Sequence, residues 1–196
     1  MGKLIIASGN RGKVEEFELY LQGLGLEIFP KPNHIDIEET GHTFIENARL
    51  KASQTALATG HWALADDSGL AVDALHGAPG VYSARYGNTD RERIDRLLSE
   101  LGNRPSGAQF VCAIALADPQ GTIVAEAVGI CQGEIIHTPR GDQGFGYDPI
   151  FYVPSEGVTF GEMSPALKGK ISHRAHALAQ LLPQLQHIRA KILADQ

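Results

Sequence analysis

In Trp62-Ala63-Leu64-Ala65-Asp66-Asp67-Ser68-Gly69-Leu70 an apolar run with the character of a buried strand meets two adjacent carboxylates. Successive side chains of a strand face opposite sides of a sheet, so inside a strand one acid of the pair would point at the core, at a high desolvation cost. The pair is therefore expected at a strand end, where both acids reach into a cleft and Gly69 lets the backbone turn. A divalent cation is a natural partner. Mg²⁺ takes one or two carboxylates and completes its shell with water and substrate phosphate, so phosphate-binding residues should lie elsewhere in the chain. The same acids would also serve in a plain turn, as acceptors of local hydrogen bonds.

Around this stretch, strands and helices alternate. Lys3 to Ala7 reads as a buried strand, Val14, Phe17 and Leu21 fall at helical spacing, and Leu26 to Phe29 reads as a second strand, after which Pro30 and Pro32 open a loop. A second helix starts at Thr43, whose spacing to Glu46 makes a capping box; it carries Ile45, Ala48, Ala52 and Ala56 on one face and ends at Gly60. Beyond the acids come the turn Gly77-Ala78-Pro79-Gly80 and a helix from about Asp90 to Leu101. Ala108 to Ala117 and Thr122 to Gln132 form a hairpin about Asp118-Pro119-Gln120-Gly121. Ser172 is the N-cap of a closing helix with Ala175, Leu178, Leu182 and Leu185 inward and Pro183 as a point of kinking. The pattern is that of an α/β fold, with no repeat or linker dividing it.

Composition excludes several classes. The chain has 196 residues, 43% of them hydrophobic, which suits one domain or one elongated unit of two lobes with a sizeable core. No apolar stretch approaches the ~20 residues of a membrane span, and the opening residues lack a signal-peptide layout, so a cytoplasmic protein without a membrane partner is expected. Cys112 and Cys131 stand far apart in apolar runs and read as buried thiols. With 23 acidic and 17 basic residues the net charge is −6, which argues against a nucleic-acid partner.

Phosphate-binding residues appear at the first strand-to-helix junction, Ser8-Gly9-Asn10-Arg11-Gly12-Lys13. Glycines there let backbone N–H groups approach an anion, the helix start presents free amides, and Lys13 adds a mobile charge. Neither a Walker A nor a dinucleotide-binding spacing is present, and an ordinary helix cap would use the same glycines. Further on, Phe145-Gly146-Tyr147-Asp148 follows a glycine-bearing loop, where an aromatic ring can stack on a base and a carboxylate can accept from it. His173 and Arg174 open the last helix, with Lys168 nearby, as donors to the acceptor edge of a purine. The plainer alternatives are that Phe145 and Phe151 are core residues and that His173-Arg174 is a solvated first turn.

Six segments taken together closely resemble the inosine/xanthosine triphosphate (dITP/XTP) pyrophosphatases. They are Ser8-Gly9-Asn10-x-x-Lys13, Glu38-Glu39-Thr40-Gly41-x-Thr43-Phe44-x-Glu46-Asn47-Ala48-x-x-Lys51-Ala52, Ala65 to Leu70, Pro79 to Tyr86, Phe145 to Pro149, and Ile171 to Arg174. They follow the family's order along nearly the whole chain. Ser8 stands where Thr is common, which keeps the hydroxyl, and Gln143 occupies a position often held by Gly. The resemblance implies an elongated, two-lobed α/β fold around a long mixed β-sheet flanked by helices, with residues 1–196 as one domain, the active site in the cleft between the lobes, and a homodimer. It further implies Mg²⁺-dependent hydrolysis of aberrant purine nucleoside triphosphates (ITP, dITP, XTP) to monophosphate and pyrophosphate.

Carried over by position, the resemblance gives Ser8, Gly9, Asn10, Arg11, Gly12 and Lys13 to the triphosphate, Glu39 and Asp67 to the metal, and Asp67 to the activation of water. Asp66 stays open as a sharer of that last task. Lys13 and Lys51 would offset charge on the leaving pyrophosphate, and Lys51, four residues after Asn47, can face the same site as that residue. Phe145, Asp148, Lys168, His173 and Arg174 would read the base, and Ser68, Gly146 and Tyr147 complete the substrate-binding set. Two other functions use the same features: a pyrophosphatase for modified pyrimidine or methylated nucleotides, and a regulatory module that binds a triphosphate without cleaving it. A second carboxylate beside a phosphate counts against the binder.

Overall fold

The computed structural model describes residues 2–8 and 11–195, without the side chains at positions 11, 12 and 16. Gly9 and Asn10, both expected at the triphosphate, lie outside the described residues, as does the Arg11 side chain. The main elements are β1 (Gly2–Ile6), α1 (Arg11–Tyr20), β2 (Leu26–Pro30), α2 (Phe44–Thr59), β3 (Trp62–Val72), α3 (Asp90–Leu101), β4 (Gly107–Ala117), β5 (Ile123–Ile135), β6 (Phe151–Val153), β7 (Val158–Thr159), α4 (Pro165–Ile171) and α5 (His173–Ala194). The strands form one seven-stranded sheet in the order β2-β1-β3-β4-β5-β6-β7. It is mixed: β1 pairs in parallel with β2 and β3, while β5-β6 and β6-β7 are antiparallel. Pro30, expected to open a loop, instead closes β2, where the edge of the sheet spares its missing N–H. None of the described helices is long and apolar enough to cross a membrane.

The chain divides into two compact units, Met1–Asp67 with Ala113–Val128 and Ala177–Gln196, and Ser68–Cys112 with Gly129–His176. In the first unit the chain leaves β1 through α1 to β2 and returns through α2 to β3, on the far side of β1. Right-handed crossovers running in opposite directions place α1 and α2 on opposite faces of the sheet. α2 begins at Thr43, whose side chain caps the Glu46 N–H while Glu46 reaches back to the Thr43 N–H, and it ends at Gly60 with φ 67°. Its buried face is a row of small side chains, Ala48, Ala52 and Ala56, packed with Ala63 and Ala65 of β3 and Ala113, Ala115 and Ala117 of β4. Methyl-sized groups let the helix lie close to the sheet, so polar side chains of α2 come within reach of β3.

One expectation fails at the acids. β3 does not stop at Asp66-Asp67; it runs on to Val72, Gly69 stays within it, and the turn comes later, where His76, Gly77 and Gly80 take positive φ. What ends near the acids is the neighbouring strand. Ile6, the last residue of β1, pairs with Leu64, so Asp66 and Asp67 lie just past the last β1 partner, at the carboxyl end of that parallel pair. The alternation that made an acid pair costly now sends the two carboxylates to different helices, each of which supplies a lysine.

The second unit has its own core, built from Leu70 and Val72 of β3, Ile94, Leu97 and Leu101 of α3, and Phe110, Phe151 and Phe160. The Phe110 ring meets Phe151 edge-on at 4.6 Å and stacks on Phe160 at 5.5 Å. Strands β6 and β7 and helix α4 were not legible in the sequence; each is too short to show a period. Ser172 caps α5 as expected, accepting from the Ala175 N–H at 3.2 Å. Among the expected inward residues of α5, Leu182 is only partly covered; Leu181 takes the core position beside Leu178 and Leu185. Asp118 ties the β4–β5 turn by accepting from the Gln120 and Thr122 amides.

Candidate active site

Five side chains of the first unit form a group of alternating charge. Lys13, in the first turn of α1, sends its Nζ to both oxygens of Asp66, at 2.8 and 3.1 Å, and the Asp66 side chain is 1% exposed. On the α2 side, Lys51 Nζ donates to Asp67 Oδ1 at 3.0 Å and to Glu39 Oε1 at 2.8 Å. Asn47, one turn earlier and buried, donates from Nδ2 to Asp67 Oδ2 at 3.2 Å. The Asn47 amide is oriented by the Gly41 N–H, which donates to its Oδ1 at 2.8 Å; a Cβ at Gly41 would sit 2.7 Å from that oxygen, so the close approach requires glycine.

Burial pushes the Asp67 carboxyl above its ordinary 3.8, although Lys51 and Asn47 pull the other way. Burial alone would lower the Lys51 ammonium, but the carboxylates of Asp67, Asp66 and Glu39 outweigh it and hold it above its usual value. Three carboxylates thus face two ammonium groups. The oxygens of Glu39 and Asp67 converge on one positive centre, the Lys51 Nζ, and hard oxygen donors of this kind fit Mg²⁺. Among the described residues no group of three or more His, Cys, Asp or Glu is arranged to hold a metal, so a cation here would complete its shell with water and phosphate oxygen.

The second unit carries an aromatic loop. Phe145 is 59% exposed, whereas its backbone is fixed: its N–H donates to Asp148 Oδ2 at 2.8 Å, and the Gly146 N–H donates to Asp90 Oδ2 at 2.7 Å. Gly144 has φ 76°, and a Cβ there would come within 2.0 Å of the Asp148 carboxylate. Lys168 Nζ pairs with Asp148 and lies 5.4 Å from the centre of the Phe145 ring. Burial pushes the Asp148 carboxyl up, against the pull of Lys168. Tyr147 is buried, and its hydroxyl donates to the Ser83 carbonyl at 2.9 Å. His173 and Arg174 are also buried; the His173 ring stacks on Phe110 at 4.8 Å, and Arg174 Nη2 reaches Ser68 Oγ at 3.4 Å.

A family model described as the Ham1 family matches residues 4–184. The chain belongs to the Ham1 family. It is 58% identical over 183 residues to the dITP/XTP pyrophosphatase of a Nostoc species, covering 93% of each chain, and 58% identical over 185 residues to the protein of the same name from a Synechocystis species, covering 94% of this chain and 95% of that one. Among solved structures it is similar to a HAM1 protein from Coxiella burnetii, with TM-score 0.87 at 43% identity over 97% of this chain and 100% of that one. A nucleoside-triphosphatase / dITP/XTP pyrophosphatase from Mycobacterium abscessus matches with TM-score 0.77 at 40% identity, over 92% of this chain and 99% of that one.

For this Ham1 family chain, the structure brings Glu39, Lys51 and Asp67 together, and Phe145, Asp148 and Lys168 together, each group within one unit. Ser8 lies two residues past the end of β1, with its N–H on the Ile6 carbonyl at 2.8 Å, and Gly12 lies in the first turn of α1. The solvated-turn alternative for His173 and Arg174 fails, since both are buried, and of the two phenylalanines only Phe151 is core. Asp148 and Tyr147 are engaged within their own unit, which gives them anchoring contacts that the sequence did not suggest. Ser83 and Asp90 were missed as site residues, and Asn47 was placed on the face of Lys51 without a role. Asn47 had a local signal, a polar side chain one turn from Lys51; Asp90 and Ser83 had none, because their partners lie more than fifty residues away.

Proposed function

We propose that this chain hydrolyses the aberrant purine nucleoside triphosphates ITP, dITP and XTP to the nucleoside monophosphate and pyrophosphate. Kinship at 58% identity over nearly the full length with proteins named dITP/XTP pyrophosphatase supports the reaction. The observation that carries it in this molecule is the convergence of Glu39 and Asp67 on Lys51, two carboxylates gathered on one positive centre as a cation would gather them. Glu39 and Asp67 would hold Mg²⁺, which would polarise phosphate oxygen and offset developing charge.

Asp67 is the general base in this reading. Burial holds its carboxyl above the ordinary carboxylate value, and Lys51 and Asn47 fix its two oxygens as Lys13 fixes those of Asp66, which stays open as a sharer of the task. Water freed of its proton attacks the α-phosphorus in line with the departing pyrophosphate, and Lys13 and Lys51 offset the charge that builds on the leaving oxygens. Ser8 to Lys13 hold the triphosphate. Phe145 stacks on the base, and Lys168 and Arg174 donate to the 6-oxo acceptor that inosine and xanthosine carry where adenosine has an amino donor. A cytoplasmic homodimer completes the reading.

The test is a panel of triphosphates with the purified chain, with and without Mg²⁺. Pyrophosphate should be released from ITP, dITP and XTP in preference to ATP and GTP, and only with the metal. Release of orthophosphate, or binding without turnover, would overturn the proposal.

A further inference from the structure

Two consecutive amides of the aromatic loop are held by two carboxylates of different origin. Asp148, three residues along, takes the Phe145 N–H; Asp90, 56 residues away at the start of α3, takes the Gly146 N–H. The start of α3 does not need that carboxylate. Thr89 caps the helix through its hydroxyl on the Glu92 N–H, and Glu92 returns the bond to the Thr89 N–H, so the capping box is complete without Asp90. The Asp90 carboxylate is instead aimed elsewhere. Its Oδ1 is fixed by Arg93 at 2.6 Å, Arg93 is fixed in turn on the Gly87 carbonyl at 3.0 Å, and Oδ2 is left directed at Gly146.

We infer that Asp90 is a positioning residue for base binding, holding the peptide between Phe145 and Gly146 so that the exposed Phe145 ring is presented to the base. That peptide plane sets the last backbone torsion of Phe145 and the first of Gly146, which has φ 63°, so holding it limits how the backbone under the ring can turn. The Asp90 side chain is 45% exposed, and losing its bond frees the loop without opening the core. The inference rests on the base-reading role proposed for Phe145.

A double-mutant cycle on pyrophosphate release tests it. Asp90→Ala should lower kcat/KM for ITP roughly five- to ten-fold, mostly through KM, the scale of a lost charged hydrogen bond in a half-exposed site. In a Phe145→Ala background the same change should add nothing, because Asp90 acts through the ring. Asp90→Asn, which keeps an oxygen for the Gly146 N–H but turns an NH2 toward Arg93, should fall between the parent and Asp90→Ala. Independent losses in the cycle, an Asp90→Asn variant as poor as Asp90→Ala, or a lowered melting temperature with an unchanged KM would overturn the inference and leave Asp90 as part of the helix start. A Phe145→Ala variant with unaltered kcat/KM would be a different failure, removing the base-reading role itself and this inference with it.

Discussion

The acid–lysine group around Asp67 and the loop around Phe145 hold their side chains by opposite means. In the first, side chain meets side chain: Lys13 on Asp66, Lys51 on Asp67 and Glu39, Asn47 on Asp67. In the second, carboxylates grip backbone amides and leave the working ring in solvent, with Asp148 on Phe145 and Asp90 on Gly146. The difference follows from the task. Phosphate chemistry needs charge of fixed position in a shielded place, where lysine and carboxylate strengthen one another. Stacking on a base needs an apolar face open to the ligand, so only its support can be buried. Breaking the first group should therefore abolish turnover, and loosening the second should change which base is turned over.

Asp67→Asn gives the largest effect. It removes the proton acceptor and a metal ligand at nearly constant shape, so kcat for ITP should fall at least about a thousand-fold while nucleotide binding persists. Steady-state rates and equilibrium binding check this; activity within a few-fold of the parent would remove Asp67 from the centre of the first group.

Tyr147→Phe should act on the fold that carries the second group. Losing the buried hydroxyl leaves the Ser83 carbonyl without that donor, and a cost of about 1–2 kcal/mol would lower the melting temperature by about 2–8 °C in a chain of this size. The kcat should hardly move. A large fall in kcat with an unchanged melting temperature would put the hydroxyl on the substrate.

Asn47→Ala gives the smallest effect and the sharpest one on protonation. Burial holds the Asp67 carboxyl above 3.8, and the Asn47 hydrogen bond pulls it back. The base works only when ionised, so rate is lost as pH falls through that raised value. Without the Asn47 donor the carboxyl rises further, and the acid limb of the kcat/KM profile should move to higher pH while the alkaline limb stays. A limb that stays or moves to lower pH would assign it to another group.

The two groups also differ in how far the sequence revealed them. α2, its capping box and its Ala stripe were legible because helical period and cap are local signals, and with them came Lys51 on the face of Asn47. The placement of Asp66-Asp67 was misread for a physical reason. Alternation in a strand is a cost to an acid pair only where one face is apolar, whereas here helices on opposite faces of the sheet offer each acid its own lysine. The supports of the Phe145 loop lie in α3 and in the turn at Ser83, and no local pattern joins residues so far apart. Burial of His173 against Phe110 was hidden likewise, since its partner comes from β4.

The division of labour itself is tested most directly by kcat/KM for ITP and ATP measured side by side on the parent, Lys13→Ala and Arg174→Ala. Lys13→Ala should slow both substrates by the same factor and leave their ratio unchanged, because the phosphates are common to both. Arg174→Ala should shrink the preference for ITP by about ten-fold, the worth of a charged hydrogen bond to the purine edge. A changed ratio in Lys13→Ala, or an equal slowing of both substrates in Arg174→Ala, would contradict the account.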